Sequence, residues 1–226
     1  MITKKPTIRL FDFQVLNTTY DTWNDEKGED NKKFLVKMFG MDEKGKTYCV
    51  FIEGYQPFFW VKVDDDWGDR ERMLLKSHIQ DQLSGLGDDC VTMCKIFKRK
   101  KLYGFDGESL HSFCVIKFKS LRAMNQAKNL WYETVRGVKR LKPRGYLFET
   151  TQTMLKLYEA NIPPMLRYFH IQEVSPSGWV AIPLNKAKKH TQKTTTCDFE
   201  YTIPHSKVIP LPNKETLVPY KICSFD

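Results

Sequence analysis

Three clusters of basic residues offer the clearest chemistry in this sequence of 226 residues. Lysine and arginine side chains neutralise phosphates and release counterions, whatever the base sequence of the nucleic acid. We therefore expect the clusters to contact a nucleic-acid backbone, although a charge run is also typical of an ordinary solvated surface. The candidate residues are Lys98, Arg99, Lys100 and Lys101, then Lys139, Arg140, Lys142 and Arg144, and then Lys186, Lys188, Lys189 and Lys193.

The charge of the chain is unevenly distributed. Residues 1–89 contain 13 Lys and Arg against 17 Asp and Glu, whereas residues 90–226 contain 23 against 10. The basic half favours a polyanionic partner. Hydrophobic residues make up 41% of the chain, and no apolar run is long enough to span a bilayer, so we expect a soluble protein with no membrane partner. Because no apolar segment follows the charged amino terminus, we also expect it to be intracellular and not secreted.

An aromatic strand at 113–118 has two possible roles. It partly matches the strand of RNA-recognition modules whose exposed aromatic side chains stack on bases. Alternatively, Phe113 and Phe118 lie on opposite faces of the strand and are both core residues. Because His111 and Ser112 replace the Arg/Lys-Gly pair of that module, the sequence favours the core interpretation, and base stacking by Phe113 remains the second hypothesis.

The cysteines do not form a metal-binding pattern. The six cysteines include no C-x-x-C pair, and only Cys90 and Cys94 lie close together, without a second pair to complete a site. Buried free thiols are therefore the favoured interpretation, and we expect no zinc site.

The elements that must position these residues differ along the chain. Alternating hydrophobicity predicts a small antiparallel sheet from strands at 8–16, 34–39 and 48–52. From Tyr55 the order becomes β-α-β-β-α, which is most of a split β-α-β unit with one sheet face left open. Its strands are predicted at 57–63, 91–98 and 112–119, and its helices at 69–83 and 121–135.

The less regular tail contains a further helix start, for which Asn161 is a candidate cap; Ser120 is the expected cap of the helix at 121–135. A loop at 185–196 and strands at 179–182, 197–203 and 220–225 complete the prediction.

We therefore predict an α+β fold built from an antiparallel, oligonucleotide-binding-like sheet and an RNA-recognition-like split β-α-β module. The predicted domains are 1–54 with about 137–195 for the sheet, 55–136 for the module, and 196–226 for a further segment.

Four segments, in order along the chain, resemble motifs of the family B DNA polymerases. They are Gly54–Val61, similar to an x-P-Y-F-Y-V strand; Lys101–Phe105, similar to a K-x-L-Y-G-F turn; Tyr158–Arg167 with Ser175–Val180, similar to Y-E-x-N-I-P-x-x-L-R-F and S-P-S-G-W; and Ser224–Asp226, similar to the start of the exonuclease motif F-D-I-E. The resemblance extends from about Ile8 to the last residue. It points to the delta-like branch, which includes polymerases of large DNA viruses.

This resemblance implies the amino-terminal domain of a replicative polymerase, followed at 196–226 by the first strands of its 3′ to 5′ exonuclease. Asp226 then corresponds to the first exonuclease carboxylate, which in the family helps to hold two metal ions. One carboxylate cannot organise two ions about 3.5–4 Å apart. We therefore expect the chain alone to bind no cofactor and to have neither nuclease nor polymerase activity, with Mg²⁺ required by the whole enzyme.

A further implication concerns template reading, because archaeal relatives recognise uracil with a pocket in this region. Pro57 and Phe58 correspond to the family's Pro-Tyr, Arg167 corresponds to its arginine, and Phe113 occupies the place of a smaller apolar residue. The extra ring fills the space that a flipped base needs, and the missing hydroxyl removes a hydrogen-bonding group. We therefore expect no uracil sensing.

The implied partners are template or primer-template DNA, the remaining polymerase domains and a processivity factor. The implied location is the nucleus or a cytoplasmic replication site. Two other classes stay open: a stand-alone RNA-recognition-like module, which would prefer RNA to DNA, and a protein-interaction domain, whose DNA affinity would not exceed that of a charge-matched control.

Overall fold

The computed structural model describes residues 5–17, 33–101 and 107–220. The chain forms two compact units: Met1–Leu16, Phe34–Tyr55 and Pro163–Asp226 make up the first, and Asn17–Lys33 and Gln56–Ile162 make up the second. Residues 137–162, which the sequence assigned to the sheet domain, lie in the second unit. The domain boundaries remain predictions.

The described residues form strands and three α-helices, and the α+β class is confirmed. In chain order the elements are β1 Thr7–Asn17, β2 Phe34–Met41, β3 Thr47–Glu53, β4 Phe58–Lys62, α1 Asp69–Gln82, β5 Val91–Lys100, β6 Leu110–Phe118, α2 Leu121–Lys128, β7 Tyr132–Val135, β8 Val138–Leu141, β9 Tyr146–Phe148, β10 Thr153–Tyr158, α3 Pro164–Gln172, β11 Trp179–Ala181, β12 Lys188–Lys189, β13 Phe199–Pro204 and β14 Ile209–Leu211. No helix among these is long and apolar enough to cross a membrane.

The first unit is built on a sheet of order β12-β13-β3-β2-β1-β11-β14. β2 and β3 pair antiparallel, but β13 pairs parallel with β3, with Phe199 opposite Tyr48. The prediction of an entirely antiparallel sheet was therefore wrong. Parallel pairing needs a long connection, and here residues 54–198 separate the two strands.

The second unit has an antiparallel sheet of order β5-β6-β4-β10-β9. One face packs against the two helices, because Leu75 and Ile79 of α1 and Ala123 of α2 share a core with Phe59 and Ile116 of the sheet. The Ser120 hydroxyl accepts a hydrogen bond from the Ala123 backbone N–H at 3.2 Å, which confirms the predicted cap. The two helices do not cover the opposite face of the sheet.

The predicted helix at 121–135 was wrong in its second half. α2 ends at Lys128, a short 3-10 helix follows at Asn129–Trp131, and the chain then enters the hairpin β7-β8. The indole of Trp131 is fully buried and donates a hydrogen bond to the Leu155 carbonyl at 2.8 Å. This contact holds Trp131 at the end of the helical segment.

The start of α3 also differs from the prediction. Pro163 occupies the cap position and Pro164 the first helical position, where a proline costs little because that N–H has no helical partner. Asn161 lies outside the helix, so its assignment as the cap was wrong. The predicted loop at 185–196 contains the two-residue strand β12, which pairs with β13.

Candidate nucleic-acid interface

The open face of the second unit's sheet presents aromatic rings among cations. Side chains alternate across a strand, and the strand register places Trp60 opposite Tyr158 and Val115, and Phe113 opposite Phe97. The residues on this face, which we call the open sheet face, are Phe58, Trp60 and Lys62 of β4, Lys95, Phe97 and Arg99 of β5, Phe113, Val115 and Lys117 of β6, and Lys156 and Tyr158 of β10.

The rings on the open sheet face differ in accessibility. Phe113 is only 5% exposed and meets the Tyr158 ring edge-on at 5.1 Å between centroids. Trp60, Phe97 and Tyr158 are half-buried, and Trp60 meets Phe97 edge-on at 5.8 Å. The burial of Phe113 fits the core interpretation. The rings that remain accessible to a base are those of Trp60, Phe97 and Tyr158. A stacking role for Phe113 itself remains an untested prediction.

A surface pocket of about 400 Å³ opens at one end of this face. Its lining combines three rings, three cations and one carboxylate: Trp60, Phe113, Tyr158, Arg99, Lys100, Lys101 and Glu159. The volume falls within the range of small-ligand pockets. Aromatic walls with cations beside them provide stacking for a base and neutralisation for its phosphate.

The first basic cluster adjoins this pocket, and its members make weak contacts within the chain. The Lys98 ammonium lies 3.4 Å from the Asp65 carboxylate, and the Lys100 ammonium lies 3.2 Å from that of Glu108. The Arg99 guanidinium lies over the Phe97 ring at 5.2 Å. Exposed ion pairs of this kind contribute little to stability, so these cations can exchange their partners for a phosphate.

The second cluster lies on and after the β7-β8 hairpin, and its members differ in what they contact. Lys142 donates to the Leu130 carbonyl at 2.9 Å and lies over the Tyr146 ring, so it holds the base of the hairpin. Lys139 donates to the Asn129 side chain. In contrast, the exposed Arg140 and Arg144 make no ion pair with any residue that the structure describes.

The third cluster belongs to the first unit. Lys186, Lys188 and Lys189 are exposed, and Lys189 lies over the Phe199 ring at 5.5 Å. Lys193 donates to the Cys197 carbonyl at 2.7 Å.

A buried carboxylate holds the loop that carries the third cluster. Glu200 is 1% exposed and accepts hydrogen bonds from the backbone N–H groups of Thr194 and Thr195 and from the Thr195 hydroxyl, at 2.6–3.1 Å. Burial raises the pKa of Glu200, but these hydrogen bonds outweigh it and hold the pKa below its usual value. The ionised carboxylate therefore stabilises the loop conformation.

The residues implied for template reading lie in different units. Pro57, Phe58 and Phe113 belong to the second unit, and Arg167 belongs to α3 of the first. Pro57 is buried and its carbonyl accepts a hydrogen bond from the Phe118 N–H at 2.9 Å, while Phe58 is 8% exposed. Arg167 is 6% exposed. The assignment of these residues to a pocket remains a prediction.

The implied metal residue Asp226 lies outside the described residues, as do residues 102–105 of the K-x-L-Y-G-F-like turn. Within the described ranges, no three His, Cys, Asp or Glu side chains gather closely enough to hold a metal ion. The one implied carboxylate of this sequence does not suffice to hold a pair of metal ions.

Sequence reasoning missed two residues of this region. Tyr158 was considered only as the start of the Y-E-x-N-I-P-like segment, but it ends β10 opposite Trp60 and lines the pocket. Arg136 directly follows the predicted helix and was given no element, but it forms the hairpin turn with Gly137, where both residues have positive φ (51° and 76°). The available signal was Gly137 between Val135 and Val138, because two-residue hairpin turns favour glycine where φ is positive.

Comparisons with known proteins agree with the motifs. A family model described as "DNA polymerase family B, exonuclease domain" matches residues 155–226. The DNA polymerase of Phaeocystis pouchetii virus is 42% identical over 238 residues, covering the whole of this chain and 22% of the polymerase. The DNA polymerase of Acanthamoeba polyphaga mimivirus is 27% identical, covering 96% of this chain and 12% of its own length. The DNA polymerase delta catalytic subunit of Schizosaccharomyces pombe is 26% identical, covering 84% of this chain and 17% of its own length.

A solved structure shares the fold. The family B DNA polymerase from the hyperthermophilic archaeon Pyrobaculum calidifontis matches 95% of this chain and 21% of that polymerase, with a TM-score of 0.57 and 16% sequence identity. The chain thus spans about a fifth or less of the polymerases named here. Together with its four ordered motifs, these matches show that the chain belongs to the family B DNA polymerases and corresponds to their amino-terminal region.

Proposed function

We propose that this chain acts in DNA replication, as part of a DNA-directed DNA polymerase with a proofreading 3′ to 5′ exonuclease that uses Mg²⁺. The names of its relatives support this proposal. Catalysis belongs to the whole enzyme, and the chain alone is inactive. Its own task is to position template DNA and to brace the other polymerase domains, with a processivity factor as a further partner. The site of action is the nucleus or a cytoplasmic replication site, away from membranes.

The open sheet face is the observation that carries the positioning role. Trp60 and Tyr158 lie opposite each other with surface to offer a base, and Arg99 and Lys100 line the same pocket. Stacking tolerates any base, and the cations follow the backbone, which is what a template strand of changing sequence requires. Single-stranded DNA therefore binds at the pocket end of this face, where Trp60 and Tyr158 are accessible, and not over the buried Phe58 and Val115.

The topology of the second unit supports the RNA-recognition-like part of the proposal. The chain order β4-α1-β5-β6-α2 is completed by β10, and the sheet order places β4 and β6 in the centre. This order agrees with the proposed split β-α-β unit, in which the helices cover one sheet face and leave the other for a ligand. The oligonucleotide-binding-like character of the first unit's sheet is also part of this proposal.

Removing two cations from the pocket tests the role of the open sheet face. We compare R99A/K100A with R70A/R122A, which removes the same charge from α1 and α2 on the helix-covered side of the same sheet. Binding of a fluorescent 30-nucleotide single strand is measured by anisotropy over a series of salt concentrations.

We expect R99A/K100A to reduce the slope of log K against log salt by about 1.4, because each lost phosphate contact on a single strand accounts for about 0.7. R70A/R122A should leave the slope within error of the wild type. Equal effects of the two variants would mean that net charge alone governs binding, and the proposed site would then be wrong.

A further inference from the structure

The β7-β8 hairpin stands apart from the sheets of the described residues. Its two strands pair only with each other, from Tyr132 opposite Leu141 to Val135 opposite Val138. Every residue from 133 to 141 is exposed. An isolated two-stranded ribbon is marginally stable in water, so this one depends on anchoring at its base.

The base of the hairpin is anchored by several contacts. The Lys142 backbone N–H donates to the Trp131 carbonyl at 2.9 Å, next to the buried Trp131 indole. The Lys142 ammonium donates to the Leu130 carbonyl, and the Lys139 ammonium lies 5.3 Å from the centre of the Tyr132 ring. The ribbon is therefore fixed at one end and accessible along both strands.

The exposed surface of the ribbon is cationic and partly apolar. Residues 132–144 contain five Lys or Arg and one Glu. Arg136, Arg140 and Arg144 make no ion pair within the described part of the chain. At the tip, Val135 and Val138 are 38% and 53% exposed. Three arginines without a carboxylate partner, beside an apolar tip, match a polyanion that also offers apolar edges.

We propose that the β7-β8 ribbon seats in a groove of duplex DNA. The major groove admits a two-stranded β-ribbon, and its walls carry phosphates on both sides. Arg136 enters with the valine tip, which meets base edges and thymine methyl groups, while Arg140 and Arg144 contact the backbone. A single strand has no such groove. The inference rests on the proposed DNA partner, but it assigns a different element and a different form of DNA from the open sheet face.

The test compares duplex with single-stranded binding. The triple variant R136A/R140A/R144A is measured by anisotropy on a 20-base-pair duplex and on a 20-nucleotide single strand. We expect its duplex affinity to fall by about tenfold or more and its salt slope on duplex to drop by about 2.7, three contacts at about 0.9 each. Its single-strand affinity should fall less than about threefold.

A second variant separates groove contact from charge. V135T/V138T keeps both positions β-branched and leaves the charge unchanged, so duplex affinity should fall several-fold at an unchanged salt slope. Thermal unfolding and far-UV circular dichroism check that both variants keep the wild-type fold. Equal losses of affinity on duplex and on single strand would overturn the proposal. Duplex affinity that neither variant changes would also overturn it, and would indicate that the ribbon binds a protein instead of DNA. Failure of the open sheet face is seen separately, in the R99A/K100A comparison.

Discussion

Replacing Trp60 with alanine removes the largest accessible ring of the proposed single-strand site. Trp60 is half-buried, lies opposite Tyr158 across the β4-β10 pair, and is held edge-on by Phe97 at 5.8 Å between centroids. Its contribution is therefore one preformed stacking platform. A base stacked on an aromatic ring contributes about 1–3 kcal/mol, so W60A should weaken single-strand binding by about 5- to 150-fold.

The assay places the fluorescent base 2-aminopurine in an otherwise unlabelled single strand. Stacking on Trp60 quenches its emission, and titration gives the dissociation constant from the same signal. W60F keeps an aromatic ring of smaller area, and it should bind with an affinity between those of the wild type and W60A. Thermal unfolding of each variant shows whether the fold is intact. A loss of less than twofold in a folded W60A would refute the stacking argument.

Two further predictions concern stability. In E200Q the amide cannot accept all the hydrogen bonds that the carboxylate accepts from Thr194 and Thr195, so urea unfolding at pH 7 should show a loss of about 1–3 kcal/mol. The pKa of Glu200 in the folded protein lies below the ordinary value of 4.5, so its stabilisation is complete above about pH 4.5 and is lost as the pH falls through the folded value. E200Q should therefore reduce the dependence of stability on pH in this acidic range. An unchanged dependence would contradict the role of the Glu200 hydrogen bonds. W131F leaves the Leu155 carbonyl without its indole donor and opens a small cavity at a fully buried position. Calorimetry should therefore show that the free energy of unfolding falls by about 1–3 kcal/mol. A fall of less than about 0.5 kcal/mol, which is typical of a surface substitution, would contradict the role of Trp131 as the anchor of the hairpin base.

The strands of the second unit were predictable because their side chains alternate between two environments. In β6, Cys114, Ile116 and Phe118 face the helices, and this pattern located the strand within two residues. The helix ending at Val135 was mispredicted because Ala127, Trp131 and Val135 keep a four-residue spacing that imitates a helical face. Local spacing does not reveal that Trp131 buries its indole against β10 and ends the helix.

The candidate site was only partly predictable for a similar reason. The cations of the first cluster are visible in the sequence as a run of like charge. Their nearness to Tyr158 depends on β10 pairing with β4 across almost a hundred residues, which no local pattern specifies. The same holds for the parallel pairing of β13 with β3. Long-range pairing, rather than local propensity, decides which rings and cations meet.

Single-strand binding by the unmodified chain, measured across a salt series, tests the central claim most directly. With Arg99, Lys100 and Lys101 at the pocket, log K should fall with log salt at a slope of about −2 or steeper. The affinity should also exceed that of a globular control protein of equal net charge. A flat salt dependence, or an affinity equal to that of the control, would contradict the claim that this chain positions DNA.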